Sequence, residues 1–156
     1  MINSADQLSK IISWVSWPPA GKRGVGFSRA NLFGKFFERY TQEAQHPLVV
    51  AMIESKEAVE DLDKILAIEG LDAIMIGPYD LSASINVTGK FSDDRFESLL
   101  SEIREKALKY KIACGIHVVS PDEDELKRKI NEGFQFIAYS LDSVFLINQA
   151  KNPLKK

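Results

Sequence analysis

The chain has 156 residues, of which 45% are hydrophobic and 27% charged, as is typical of one soluble domain with a hydrophobic core. The formal net charge of −2 argues against a surface for nucleic acid or anionic membranes, because both favour an excess of Lys and Arg. No apolar stretch approaches the ~20 residues needed to span a bilayer, and no signal peptide is visible. The single cysteine cannot form an internal disulfide, so a reducing cytoplasm is expected.

The first part of the chain predicts helices and a glycine-rich loop. Ser4-Ala5-Asp6 is a typical helix start, and apolar residues recur after it at helical spacing up to Trp17-Pro18-Pro19. The loop AGKRGVGFSRAN comes next, and a helix is predicted over residues 30–44. Met1-Ile2-Asn3 leads directly into the first helix, as though a strand had just ended.

Four short apolar runs then alternate with helical patterns. Each run has little polar alternation, as expected for strands covered on both faces of a parallel sheet. The runs are LVVAMIE (48–54), LDAIMIG (71–77), KIACGIHVV (111–119) and FQFIAYSL (134–141). This order, closed by a helix that runs to Ala150, predicts consecutive right-handed βαβ units. Four strands are about half of a (β/α)8 barrel, which usually takes ~250 residues, and a self-contained open α/β sheet is the alternative.

Polar residues stand at the carboxyl ends of these runs, where functional groups gather in parallel α/β folds. The ends carry Glu54, the segment from Gly77 to Asp80, His117 and Ser140. Carboxylates from adjacent strand ends, such as Glu54 and Asp80, repel each other unless one takes up a proton or a cation lies between them. Oxygen ligands of this kind favour Mg²⁺ or Mn²⁺. The alternative is that Glu54 caps a helix and Asp80 caps a turn.

Three further positions invite a functional interpretation. Gly77 lets the backbone approach a ligand closely, so the N–H groups of Tyr79 and Asp80 are candidates for binding a substrate carboxylate, with a simple tight turn as the alternative. His117 is a candidate proton shuttle or metal ligand, or a polar neighbour of the site. Arg23 lies in a loop that matches neither a P-loop nor a dinucleotide fingerprint, and it is either solvated or in contact with an anionic substrate.

Four segments carry a resemblance that covers the chain from Met1 to about Ala150. They are PPAGKRGVGFSRAN, VVAMIESKEAVEDLDKILAIEGLDAIMIGPYDLSASI, CGIHVVSP and FIAYSLDSVFL. Together they resemble the HpcH/HpaI aldolase family of metal-dependent class II pyruvate aldolases, which are related more distantly to the citrate lyase β-subunit. The most specific parts are the glutamate that precedes EAVEDLDKIL and the motif GPYDLSAS. Their occurrence together, at the spacing seen in the family, is more specific than either part alone.

The resemblance implies a fold, a reaction and a ligand set. The family fold is a (β/α)8 barrel, and this α/β chain would be about its carboxyl-terminal half, strands 5–8, forming one truncated domain over residues 1–156. The reaction would cleave a 4-hydroxy-2-oxo acid into pyruvate and an aldehyde. Glu54 and Asp80 would hold Mg²⁺ or Mn²⁺, Gly77, Tyr79 and Asp80 would help to bind the carboxylate of the 2-oxo acid, and His117 would line the pocket.

The resemblance also implies a catalytic His and an Arg on earlier strands, and neither has a counterpart in this sequence. Arg23 and His117 are not assigned to those roles, so the catalytic residues stay unassigned. A half-barrel has two open edges and an exposed apolar inner face, so a homo-oligomer or a complementing amino-terminal half is expected as partner.

Other readings of the sequence stay open beside the aldolase. One is a non-catalytic half-barrel subunit that needs a complementing chain. Another is a lyase that acts on CoA thioesters, like the relatives of the citrate lyase β-subunit. The sequences of the PPAGKRGVG and GPYDLSAS segments resemble the aldolase branch more. A flavodoxin-like open sheet is the last, and no phosphate-cradling loop supports it.

Overall fold

Four parallel strands form the centre of the protein in the computed structural model, which describes residues 1–150. They are β1 (Val50–Ile53), β2 (Ala73–Ile76), β3 (Ala113–Val118) and β4 (Phe136–Tyr139). Their spatial order is β1-β2-β3-β4, so each strand pairs with the next one in the chain. All four predicted strands are therefore confirmed, while residues 151–156 of the predicted domain lie outside the described part of the chain.

Helices connect these strands. They are α1 (Ala5–Val15), α2 (Phe37–Glu43), α3 (Lys56–Glu60), α4 (Leu62–Leu66), α5 (Pro78–Ser84), α6 (Asp94–Tyr110), α7 (Glu123–Asn131) and α8 (Asp142–Gln149), with a 3₁₀ turn at Arg29–Asn31. The first helix begins as the sequence predicts, because the Ser4 side chain accepts a hydrogen bond from the N–H of Gln7. No helix within residues 1–150 combines the length and the apolar character needed to cross a membrane.

The sheet has one covered face and one open face. Successive side chains of a strand point to opposite sides, so alternate residues share a face. On the covered face the side chains pack against the helices in a single core, and its strand residues include Ala51, Ile53, Ile74, Ile76, Cys114 and Ile116. On the other side, which we call the open face, Val50 and Met52 are 44% and 38% exposed. This face is the one that a barrel would turn inward.

The outer side of β1 is also occupied in part. The N–H of Ile2 donates to the carbonyl of Met52 over 3.0 Å, and the Ser55 hydroxyl donates to the Asn3 side chain over 2.8 Å. The first residues therefore lie alongside β1.

Two local predictions differ from the structure. The predicted helix over residues 30–44 divides into the 3₁₀ turn and α2, because Leu32, Phe33 and Gly34 all have positive φ and interrupt helical geometry. The simple tight turn that was the alternative interpretation after β2 is replaced by the start of α5. Pro78 suits the first helical position, where no N–H is needed, and Leu81 is buried one turn later.

The core under the covered face is the main source of stability, and Leu62 lies in it without any exposed surface. We expect Leu62→Ala to lower the free energy of unfolding by about 2–5 kcal/mol, because the substitution leaves a cavity. Leu108→Ala is the matched control, since Leu108 lies on α6 but is 77% exposed, and its effect should stay within about 0.5 kcal/mol. Urea titrations followed by circular dichroism measure both values, and equal effects would contradict this view of the core.

Cys114 is part of the same core, and burial raises the pKa of its thiol to about 12. The thiolate is the reactive form, so we expect very slow alkylation by iodoacetamide at about pH 8 in the folded protein. Unfolding in guanidinium should restore ordinary reactivity, which mass spectrometry can follow at this single cysteine. Rapid labelling of the native chain would show that the position is accessible.

Candidate metal and substrate site

The carboxyl ends of the four strands bring the predicted site residues to one edge of the sheet. The register pairs Ile53 with Ile76 and Ile76 with Ile116. Continued by one residue, it aligns Glu54, Gly77 and His117, and His117 is itself paired with Ala138. These four positions form one row across the open face, which we call the rim row.

Glu54 lies over Gly77 in the rim row. A Cβ atom added to Gly77 would collide with Oε2 of Glu54, so the glycine leaves room for the carboxylate in its present position. The φ angle of Gly77 is −93°, which any residue adopts, and the glycine is therefore required by space rather than by backbone conformation. Oε1 of Glu54 lies 3.7 Å from the amino group of Met1, and its side chain is only 15% exposed.

Asp80 follows three residues after Gly77, in the first turn of α5, and it is exposed. The opening turn of a helix leaves backbone N–H groups without helical partners, and here these belong to Tyr79 and Asp80. The side chain of Tyr79 packs edge-on against Phe91 with ring centroids 5.0 Å apart. The backbone N–H groups of Tyr79 and Asp80 stay the candidate donors at this end of β2.

His117 points to the open face, because its neighbours Ile116 and Val118 are buried on the covered face. Its Nε2 lies 3.3 Å from the carbonyl oxygen of Ser140. Ser140 has a φ of 58°, is buried, and its hydroxyl has no hydrogen-bond partner within residues 1–150. The sequence suggested Ser140 only as a strand end, and no pattern in it indicates this contact with the imidazole.

The basic loop does not reach this site. The guanidinium of Arg23 lies 6.0 Å from the ring centroid of Tyr40, in the segment between α1 and the amino end of β1. This contact is a cation–π interaction within the connection that precedes the sheet. The alternative in which Arg23 contacts a substrate at the strand ends is therefore not supported by its position.

A cavity of about 530 Å³ lies beside β3, and its lining includes Ile116 and Val118 of the covered face together with Tyr79 and His117. Its charged lining forms ion pairs, with Lys129 Nζ 3.0 Å from Glu132 and Arg128 2.8 Å from Glu125. These charges are compensated within the protein, and the cavity also borders two of the predicted site residues, Tyr79 and His117.

The residues at the rim fit a hard divalent cation with few protein ligands. Within residues 1–150 no group of three or more His, Cys, Asp or Glu side chains is arranged to hold a metal ion, so the candidate protein ligands are the two carboxylates. The space that Gly77 leaves for the Glu54 carboxylate is the structural feature in favour of such a site. Mg²⁺ commonly binds through one or two carboxylates, with water and substrate completing its coordination.

A sequence model described as HpcH/HpaI aldolase/citrate lyase matches residues 1–149 of the chain. The chain belongs to the HpcH/HpaI aldolase/citrate lyase family. The family assignment suggested by the sequence is thereby confirmed. So is the fold class, because the parallel four-stranded sheet matches the barrel-like structures of this family.

Individual family members agree with this placement. The chain is 31% identical to a hydroxypyruvate/pyruvate aldolase of Roseobacter denitrificans, over 97% of this chain and 59% of the relative. It is 32% identical to a 4-hydroxy-2-oxovalerate aldolase of Novosphingobium aromaticivorans, over 100% of this chain and 59% of the relative. A solved HpcH/HpaI aldolase/citrate lyase family protein of Burkholderia cenocepacia superposes with a TM-score of 0.85 and 26% identity, over 95% of this chain and 59% of the other. The chain thus spans about three fifths of the length of the relatives it matches.

The contact between Glu54 and Gly77 leads to a direct test of the site. We expect Gly77→Ala to weaken Mn²⁺ binding at least tenfold, because the new methyl group displaces the Glu54 carboxylate while the backbone conformation stays accessible. Gly24→Ala is the matched control, since a Cβ there meets no atom within 4 Å. Electron paramagnetic resonance of free Mn²⁺ measures the affinity, and circular dichroism checks the fold. Equal affinities for the two variants would contradict the role given to Gly77 in positioning Glu54 for the metal.

Proposed function

We propose that the protein is a metal-dependent aldolase, which cleaves a 4-hydroxy-2-oxo acid to pyruvate and an aldehyde. The observation that carries the proposal is the Glu54 carboxylate seated over Gly77 at a strand end, three residues before Asp80. Membership of the family supports it, as do the two relatives named as aldolases. Those names also favour aldol chemistry over the cleavage of a CoA thioester.

The carboxylates of Glu54 and Asp80 would hold Mg²⁺ or Mn²⁺ at the rim. When bound, the ion stabilises negative charge as it develops on the keto oxygen of the substrate. The N–H groups of Tyr79 and Asp80 would orient the substrate carboxylate. Gly77 has no side chain that would occupy the space next to Glu54. His117 would line the same pocket from β3.

The reaction breaks the bond between C3 and C4. A base removes the proton from the C4 hydroxyl, the C4 oxygen becomes the aldehyde carbonyl, and the bonding electrons pass through C3 to the keto oxygen. Protonation of C3 then gives pyruvate. The base is not assigned to a residue of this chain, which spans 59% of each of the two curated relatives.

We also propose that further protein covers the open face, either a second copy of the chain or a complementing amino-terminal half. Val50 and Met52 expose apolar surface there, and β4 has no strand paired to its outer side within residues 1–150. The relatives are longer than the matched part, which is consistent with additional strands on this side.

The first test of the activity is proton exchange at the methyl group of pyruvate in D₂O, followed by NMR with and without Mg²⁺. We expect exchange that depends on the metal and falls at least tenfold in Glu54→Gln and in Asp80→Asn, because each variant removes a charged ligand. Glu57→Gln is the control, since Glu57 is an exposed acid on α3 close to Glu54 in sequence.

The outcomes separate the parts of the proposal. Metal binding through both carboxylates without exchange would confirm the metal site and place the base on another chain or segment. An exchange rate that both substitutions leave unchanged would contradict the proposal of a metal-dependent aldolase. So would the absence of divalent-ion binding.

A further inference from the structure

The cavity beside β3 lies between α6 and α7, next to the carboxyl end of the strand. Its volume of about 530 Å³ falls within the ~300–1,000 Å³ that is usual for small-molecule sites. Tyr79 and His117 border this cavity, whereas Glu54 and Asp80 are not among its lining residues. A molecule in the cavity would therefore lie next to the candidate metal site without taking the place of a metal ligand.

Part of the cavity lining is aromatic. The ring of Phe91 packs edge-on against Tyr79, with centroids 5.0 Å apart, and its centroid lies 5.5 Å from that of Phe96. Phe96 is buried, but Tyr79 is 48% exposed and Phe91 is half-buried, so part of their ring surface is accessible. Aromatic rings prefer edge-to-face or offset contacts with other rings, and such pairs contribute free energy beyond the burial of their area. An aromatic ligand would therefore extend a cluster of rings that already lines the cavity.

The basic side chains of the lining are paired with acids. The guanidinium of Arg128 lies 2.8 Å from the carboxylate of Glu125 and 3.3 Å from that of Glu97. Lys129 is only 3% exposed, and its Nζ lies 3.0 Å from Glu132. A charged ligand would have to separate these pairs or lie beside a charge of its own sign, and both cost free energy. A neutral ligand leaves every pair in place.

The lining also offers neutral hydrogen-bonding groups. Ser92, shortly before α6, and Ser120, shortly before α7, are exposed and line the cavity. Their hydroxyls can donate or accept a hydrogen bond. The carboxylate of Asp122 already accepts hydrogen bonds from the N–H groups of Asp124 and Glu125 at the start of α7. A hydroxyl group on a ligand thus has partners here that involve no ionic contact.

We propose that this cavity binds a neutral aromatic molecule of one or two rings that carries a hydroxyl group. The rings lie against Tyr79 and Phe91, and the hydroxyl group bonds to Ser92 or Ser120. The site is separate from the candidate metal site, so it stands or falls independently of the proposed function.

The test uses three indole ligands of nearly equal size that differ in charge. The full chain is titrated at about pH 7, in about 0.15 M salt to screen its net charge. The ligands are 5-fluorotryptophol, which is neutral, 5-fluorotryptamine, which is cationic, and 5-fluoroindole-3-acetate, which is anionic. Fluorine NMR of the ligands measures the three dissociation constants. We expect a value of about 1 mM or lower for the neutral ligand, in keeping with its size, and values at least about fivefold higher for the two ions.

Four variants locate the bound ligand. Ser92→Trp and Ser120→Trp each introduce an indole at an exposed lining position, so each should weaken binding of the neutral ligand at least about tenfold by filling the cavity. Ser98→Trp is the matched control, since Ser98 is an exposed serine of α6 outside the lining, and it should leave the affinity within about twofold. Phe91→Leu should weaken binding about three- to tenfold, because it keeps an apolar side chain but removes a ring. Circular dichroism checks the fold of each variant.

The outcomes separate this site from the proposed function. Binding of the neutral ligand that both cavity-filling variants leave unchanged overturns the inference, as does a charged ligand that binds as tightly as the neutral one. The absence of any binding at about 5 mM overturns it as well. A chain that binds the neutral ligand in the expected way but binds no Mn²⁺ supports the site and overturns the proposed function.

Discussion

The parallel register of β1 to β4 is the constraint on which the candidate site depends. It places Glu54, Gly77, His117 and Ala138 in one row, although they come from parts of the chain up to 84 residues apart. The register is held by burial, because a slip of one residue would turn Ile53, Ile74 and Ile116 from the core to the open face. The stability of the core and the geometry of the site thus have a common cause.

Within that row, the absence of a side chain at Gly77 matters as much as the side chains of Glu54 and His117. Gly77 has no side chain, and this omission allows the Glu54 carboxylate to lie over β2. The row places the Glu54 carboxylate, a glycine and the His117 imidazole next to one another at the ends of neighbouring strands.

The two faces of the sheet differ in content: one packs against the helices in the core, and the other carries the candidate site. The covered face and its helices hold the charged crevice near Lys129 and Arg128, where every named cation has an acidic partner. The open face carries the rim row together with the exposed Val50 and Met52. Covering this face would desolvate the site as well as the apolar strands, which strengthens electrostatic interactions with a substrate. The proposed cover of the open face would thus also change the electrostatics of the candidate site.

The sequence by itself determined the strands, most helices, the family, and the candidate ligands Glu54 and Asp80, because apolar periodicity, helix caps and motif spacing are local properties. Contacts between strand ends are not local, and only the tertiary structure revealed them. It decided that Gly77 is needed for space rather than for a turn, that Pro78 starts a helix, and that Arg23 lies on Tyr40 away from the rim. It also paired His117 with the Ser140 carbonyl, 23 residues further along the chain. Each of these contacts depends on the register between strands, which burial of the whole core sets and no single segment encodes.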